Sequence, residues 1–512
     1  MKILNFFLVI ALFFAGCSSS DKNCGKTIRI ALNQNPPTLD TRKSGDTTSS
    51  ALHFLLYSGL THISKDNKVE NDLAEEISIS EDGTEYTFTL REGYWSDGSL
   101  ITAEDFARSW KEILAPTFPA PNAPLLYPIK NAREMKEGKC DPSEVGISAL
   151  DERTLKITLN RPTPYFLRLT SFCTFFPMKI HSNGGFLTSG PFLLKTWLHN
   201  DQLVLKANPK FHNQEKIQVD TLKLFVVESE STALKMFEQG ELDFVGGVMC
   251  QLPIDLVGHY IQENKARLKP FPATARFYFN NRIPPFHNKK IRKGISLAID
   301  REAIVQALAP LPAKVATGVV PPLLKSEDST YPANIAGDAR AIFEEGLREE
   351  GLESLPEIPL LYAISEMHDK VVQVIQEQLR EKLGITVVLE GLDFKHYLKK
   401  IRSRNYVTAH GKWIAQYNDP INILDPFKHK NSAMNIPGWE SPEFIECLEA
   451  SAYAKTSEER SKLLDRAEEV MSEEVPVYSL FHWSDYYLLN PKINDFYICS
   501  TSPPQCSDIE VK

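Results

Sequence analysis

No apolar run in these 512 residues is long enough to cross a bilayer. The longest, residues 3–14 broken only by Asn5, offers about 12 residues where a ~30 Å hydrocarbon core needs about 20. An excess of basic residues is missing too. Lys and Arg number 57 against 66 Asp and Glu, a formal charge of −9, so the clustered cations that release counterions from a phosphate backbone are lacking and nucleic acid is set aside as a partner. CxxC, HExxH, GxSxG, P-loop and GxGxxG patterns are all absent, which removes the local signatures of redox, zinc-protease, serine-hydrolase and nucleotide-binding chemistry. The 12 His are scattered with no i,i+4 pair, so neither a metal nor another cofactor is expected. What is present is an ordinary globular balance, 42% hydrophobic and 24% charged, without repeats or low-complexity segments. At ~150 residues per domain this length implies about three domains or sub-domains.

The N-terminus reads as an export signal: Lys2, the apolar run, then Ala15-Gly16-Cys17. Small residues directly before a cysteine resemble the bacterial lipobox, with Phe14 where leucine is usual. On that reading residues 1–16 are removed, Cys17 is lipidated, and 17–26 form a polar tether. Thioether-linked and amide-linked chains together supply the two anchors that stable membrane attachment requires. The alternative is a plain signal peptide with an incidental cysteine. Seven cysteines follow, and an exported chain can oxidise them; Cys499 and Cys506 would close a short Pro-containing loop. An odd count leaves at least one free thiol.

Strand-like and helix-like segments alternate through most of the chain, which predicts an α/β fold. Residues 222–227, 231–239 and 242–245 form one βαβ crossover stopped by Gly240, and 358–364, 370–383 and 385–389 form a second stopped by Gly384. Thr456 with Glu459 caps a helix toward Glu474, and 475–481 reads as a late strand. Two βαβ units more than a hundred residues apart, with a strand after the second, fit two lobes and a cleft between them. Parallel strands direct their carboxyl ends at such a crevice, which makes Gly246-Gly247 a candidate lining segment, a simple turn being the other reading.

Residues 73–93 (Leu73-Ala74-Glu75 through Glu81-Asp82-Gly83-Thr84 to Arg91-Glu92-Gly93), Trp95-Ser96-Asp97-Gly98 and Thr102-Ala103-Glu104-Asp105-Phe106 resemble the signature of bacterial extracellular solute-binding proteins of family 5, the peptide-binding components of ABC importers. Ser189-Gly190-Pro191-Phe192, Gly240-Glu241-Leu242-Asp243, Phe277-Tyr278-Phe279-Asn280-Asn281, Ala298-Ile299-Asp300-Arg301 and Tyr417-Asn418-Asp419-Pro420 follow in the family's order. The resemblance implies a two-lobed periplasmic-binding-protein fold (type II, cluster C) with a two-strand hinge. Residues 27–50, 177–267 and 478–512 would form the first lobe, 51–176 an extra sub-domain on it, and 268–477 the second lobe. It further implies a monomer that takes a short peptide or peptide-like ligand, does no chemistry itself, and delivers its cargo to permease subunits powered by a separate ATPase, at the periplasm or the outer face of the cytoplasmic membrane.

An extended peptide offers its own N–H and C=O groups, so backbone pairing gives affinity without reading side chains. Two loops are expected to do this by resemblance: one at Gly45, Asp46 and Thr47, the other leading from Trp413 to Asp419 through Gln416, Tyr417 and Asn418. Trp413 and Tyr417 would supply flat surfaces, and His410 and Lys412 lie where some relatives carry basic residues for ligand carboxylates. Oligopeptide-binding relatives usually hold the ligand's ammonium with an aspartate directly before the Tyr-Asn pair. Here that residue is Gln416, which cannot neutralise a buried ammonium, a loss on the order of 3–5 kcal/mol. Asp419 or Asp46 is expected to compensate, or the ligand differs, as a γ-glutamyl peptide such as glutathione or a murein peptide would. A hydrolase with a hidden carboxylate pair and a nickel or haem carrier are the rival readings.

Overall fold

The computed structural model describes residues 26–501 except 65, 66, 310, 333, 433, 495, 499 and 500. Cys17, the export segment and the Cys499–Cys506 pair lie outside the described residues. Cys140, Cys173, Cys250 and Cys447 are free thiols.

A mixed eleven-stranded sheet runs through both lobes. Five strands stand on the first-lobe side in the order Phe192–Leu198, Gln202–Ala207, Thr221–Val226, Thr27–Leu32 and Phe244–Gly246. Thr408–Ile414, Ile358–Ala363 and Val387–Leu392 stand on the second-lobe side. Two long antiparallel strands, Ala266–Phe279 and Val477–Leu489, join the halves, and the short strand Lys314–Val315 pairs with the second of them. Each βαβ unit is present: Thr221–Val226, Glu230–Glu238 and Phe244–Gly246 in the first lobe, Ile358–Ala363, Glu366–Leu383 and Val387–Leu392 in the second. Gly240 at φ +76° and Gly384 at φ +71° carry the chain off their helices in the left-handed region that side-chain-bearing residues avoid.

The joining strands are the mechanical feature. Their ladder runs from Ala266 opposite Leu488 to Pro270 opposite Ser484, breaks, and resumes from Thr274 opposite His482 to Tyr278 opposite Val477. Pro270 and Pro272 have no N–H to give to a ladder, so the break has a covalent cause. It lies between Pro270 and Thr274 on one strand and between His482 and Ser484 on the other.

The sub-domain carries its own four-stranded antiparallel sheet, Ala74–Ile79, Glu85–Leu90, Thr154–Thr158 and Ile147–Ala149. Helix Ala103–Leu114 is closed by a capping box between Thr102 and Asp105 and buries Phe106 and Trp110. Trp110 donates to the Phe175 carbonyl (2.9 Å), so even this fully buried indole is satisfied. One apolar cluster continues from the sub-domain into the second lobe through Ala415, Tyr417, Ile421 and Leu424, so the lobes meet through packed side chains as well as through the hinge.

Candidate ligand-binding cleft

The two expected loops come together through one relay. The carbonyl of Ser44 accepts from Asn122 Nδ2 (3.0 Å), and Asn122 Oδ1 accepts from Gln416 Nε2 (2.8 Å). Gln416 therefore spends its amide N–H on the opposite lobe. Its neighbours do likewise: Asn418 bonds Asn67, Arg161 pairs with Glu449, and the Tyr417 ring stacks on Tyr165 at 5.7 Å with planes 10° apart. A narrow crevice lies beside this stack, lined by Arg161, Tyr165, Ile421, Asp425 and Arg460.

Neither expected substitute for the missing aspartate is free. Asp419 is 4% exposed and receives both guanidinium arms of Arg460, at 2.9 and 2.7 Å, while its Oδ1 also accepts from the Ile421 N–H (3.0 Å). Asp46 caps the helix Thr47–Leu56 by accepting from the Ser49 N–H (2.8 Å), an orphan donor of the first turn. Thr47 is the first residue of that helix, and Gly45 is exposed beside Pro121. The expectation that Asp419 receives an ammonium is corrected, since it serves a buried ion pair; Asp46 is committed through Oδ1 to a helix end.

His410 is corrected as well. It is 1% exposed, its Nδ1 sits 3.1 Å from the Arg276 carbonyl oxygen, and its ring lies 4.8 Å from that of His368. Burial pushes its pKa down to about 4, so it is a neutral part of the wall. Gly246, at φ +117°, is buried where a Cβ would stand 2.5 Å from the Tyr487 Cα, so its absent side chain permits strand packing.

Gly247 and Lys412 lead to residues the sequence did not single out. A Cβ on Gly247 would stand 3.2 Å from Oδ2 of Asp485. Asp485 faces Lys269 across the first-lobe part of the hinge ladder; its Oδ2 accepts from the Tyr497 hydroxyl (2.8 Å) and its Oδ1 from the Tyr486 N–H (3.1 Å). Burial raises its pKa to about 6 despite these bonds, and the charge of Lys412 is the weakest of the opposing influences. Lys412 comes from the other side of the break, opposite Ala275, with Nζ 4.7 Å from the Trp483 ring centroid. The residue is exposed, yet the surrounding protein lowers its pKa by desolvation. Glu230, first residue of the first-lobe helix, is also shifted up, by burial and then by Glu366.

The same region holds buried polar atoms with no protein partner. The indole N–H groups of Trp413 and Trp483 are unpaired among the described residues, as are Nδ1 of His368 and Nε2 of His410. Buried polar atoms are normally satisfied, so these four stand out as available to an incoming polar group. No group of three or more His, Cys, Asp or Glu among the described residues could hold a metal, and no helix there is long and apolar enough to cross a membrane.

Residues 68–435 match bacterial extracellular solute-binding proteins, family 5 Middle. The chain belongs to this family. It is 32% identical to the oligopeptide-binding protein OppA of Bacillus subtilis over 516 residues, 95% of each chain. Among solved structures it resembles a periplasmic oligopeptide-binding protein from Borrelia burgdorferi (OppAIV; 28% identity, TM-score 0.81, 95% of this chain and 99% of that one). It also resembles OppA of Listeria monocytogenes bound to peptide (25% identity, TM-score 0.77, 95% and 99%). The two-lobed fold expected from the sequence is the fold of these relatives.

Proposed function

We propose that this family member captures short peptides between its lobes and delivers them to an ABC permease with a separate ATPase subunit. What supports the reading is the cleft itself: two lobes joined by a proline-broken strand pair, with unpaired indole N–H groups at its inner wall. Such a wall offers hydrogen bonds to a backbone rather than a shaped pocket for one side chain. The relatives named as oligopeptide-binding proteins favour a peptide over other solutes. The protein turns nothing over, and its residues act by differential contact with the ligand in the closed state. Gly45, Asp46, Thr47 and Asn122 form the first-lobe side of the passage, and Trp413, Gln416, Tyr417 and Asn418 the second-lobe side. Cys17 carries the lipid anchor of a monomer held outside the cytoplasmic membrane.

The test is native mass spectrometry of the chain from Ser18 onward, followed by release and fragmentation of what co-purifies. An Ala-X-Ala tripeptide mixture added to the stripped protein should be retained. It should compact the scattering profile and raise stability by about 2.7 kcal/mol at a hundredfold excess over Kd. A mixture of ordinary peptides among the released species supports general uptake, and one dominant γ-linked or murein peptide narrows the function to that solute. Unchanged scattering and melting across the panel would remove the peptide reading.

A further inference from the structure

Gln416 leaves a question open: which group receives a peptide's positive end in this cleft. We propose that the Asp485 carboxylate receives the primary ammonium of the ligand. The inference rests on the peptide-capture reading above and locates one contact within it.

The two carboxylates expected for the task are already engaged. Asp419 is saturated by Arg460 and the Ile421 N–H, and Asp46 is committed through Oδ1 to the first turn of its helix. Gln416 donates to Asn122 and carries no charge. Asp485 differs on each count. Two hydrogen bonds, from Tyr497 and the Tyr486 N–H, fix its orientation while leaving lone pairs unused on both oxygens. A side chain on Gly247 would crowd its Oδ2, because a Cβ there would stand only 3.2 Å away.

Its position suits capture of the ligand before closure. Asp485 lies on the first-lobe side of the broken ladder and Lys412 on the second-lobe side. An ammonium delivered to Asp485 sits at the pivot, where the lobes converge whatever their opening angle. The unpaired indole N–H groups of Trp483, two residues away, and of Trp413 point to where the ligand's carbonyl oxygens are received. A carboxylate that burial has pushed up to about 6 gains most from a cation, since a fixed positive neighbour favours its ionised form. A charge-assisted bond there is about twice as strong as a neutral one.

The experiment compares Asp485→Asn with wild type by calorimetry on three probes: trialanine, N-acetyl-trialanine, and N-acetyl-Ala-Lys-Ala. Asn keeps the size of the side chain and one acceptor, and a melting curve verifies folding. Wild type is expected to bind trialanine at least 30-fold more tightly than its acetylated form, and Asp485→Asn to shrink that ratio below threefold. Recovery of tight binding with N-acetyl-Ala-Lys-Ala assigns the contact to a side-chain amine instead of the α-amine, and Asp485→Asn must abolish that recovery too. Wild-type affinity for trialanine should fall as pH drops from 7 to 5. Lys412, Lys269, Tyr497, Tyr486 and Glu230 also face this spot from neighbouring elements, so the profile is repeated in Glu230→Gln, where the fall should persist. An undiminished ratio in Asp485→Asn overturns the assignment while peptide capture stands. A wild type that ignores every probe overturns peptide capture and this contact with it.

Discussion

The two sides of the inter-lobe passage are built on opposite electrostatic terms. Around residues 416–419 each charge and amide has its partner inside the protein: Arg460 for Asp419, Asn122 for Gln416, Asn67 for Asn418, with Tyr165 lying flat on Tyr417. At the hinge, Asp485 and Lys412 are both desolvated and both shifted toward their neutral forms, and two indole N–H groups are unpaired. A side that satisfies itself holds the lobes together, and a side that does not keeps free energy in reserve for a ligand. The contrast gives the loop at Gln416 the character of a clasp between the lobes.

Breaking the satisfied side should cost most. Arg460→Met leaves Asp419 buried without its cation and is expected to lower stability by about 3–5 kcal/mol, measured by urea unfolding at pH 7. The double variant with Asp419→Asn should recover much of that loss, because no charge is then left uncompensated. A loss below 1 kcal/mol in the single variant would mean that water already solvates the pair.

On the unsatisfied side the sign reverses. Asp485 is harder to ionise in the folded chain than in the unfolded one, since its pKa rises from 3.8 to about 6. Its cost to stability is absent below pH 4, grows between 4 and 6, and is complete above 6. Asp485→Asn should therefore raise the melting temperature of the ligand-free protein at pH 7.5 and leave it nearly unchanged at pH 4. Equal shifts at both pH values would tie the effect to packing instead of charge.

Tyr417→Leu tests the clasp at intermediate size. Losing the stack on Tyr165 should remove about 1 kcal/mol from lobe closure, seen as a larger radius of gyration without ligand. The hinge ligand contacts should be untouched.

How much of this the sequence disclosed depends on the range of the interactions. The βαβ units could be read to within a few residues because their signals are local: apolar runs, Gly240 and Gly384 as stops, Thr456 and Glu459 as a cap. The family was legible through ordered short motifs. The state of each carboxylate was not. Asp419 looks available until Arg460, 41 residues later, is folded against it, and His410 looks like a surface base until His368 covers it. Asp485 was passed over because the late strand appeared to end at Phe481, where the apolar run stops; it continues through polar His482, Ser484 and Asp485 to Leu489. Its environment is assembled from Gly247, Lys412 and Tyr497, which no local pattern connects.

The smallest expected effect sharpens the comparison furthest. Gln416→Ala deletes one neutral hydrogen bond to Asn122, worth about 1 kcal/mol, and so should shift the open–closed equilibrium of the empty protein about fivefold toward open. Because Gln416 is a clasp in this scheme, the variant should weaken every ligand by that same factor, acetylated or not, as closure is paid for equally by all of them. Gln416→Asp keeps an acceptor but loses the donor toward Asn122 Oδ1, and it places a carboxylate where relatives carry theirs. If the cleft can still seat an ammonium at that position, Gln416→Asp will restore discrimination between trialanine and its acetylated form in the Asp485→Asn background. If it cannot, discrimination stays lost, and the difference between this chain and its relatives lies in the path the ligand takes through the cleft as well as in one side chain.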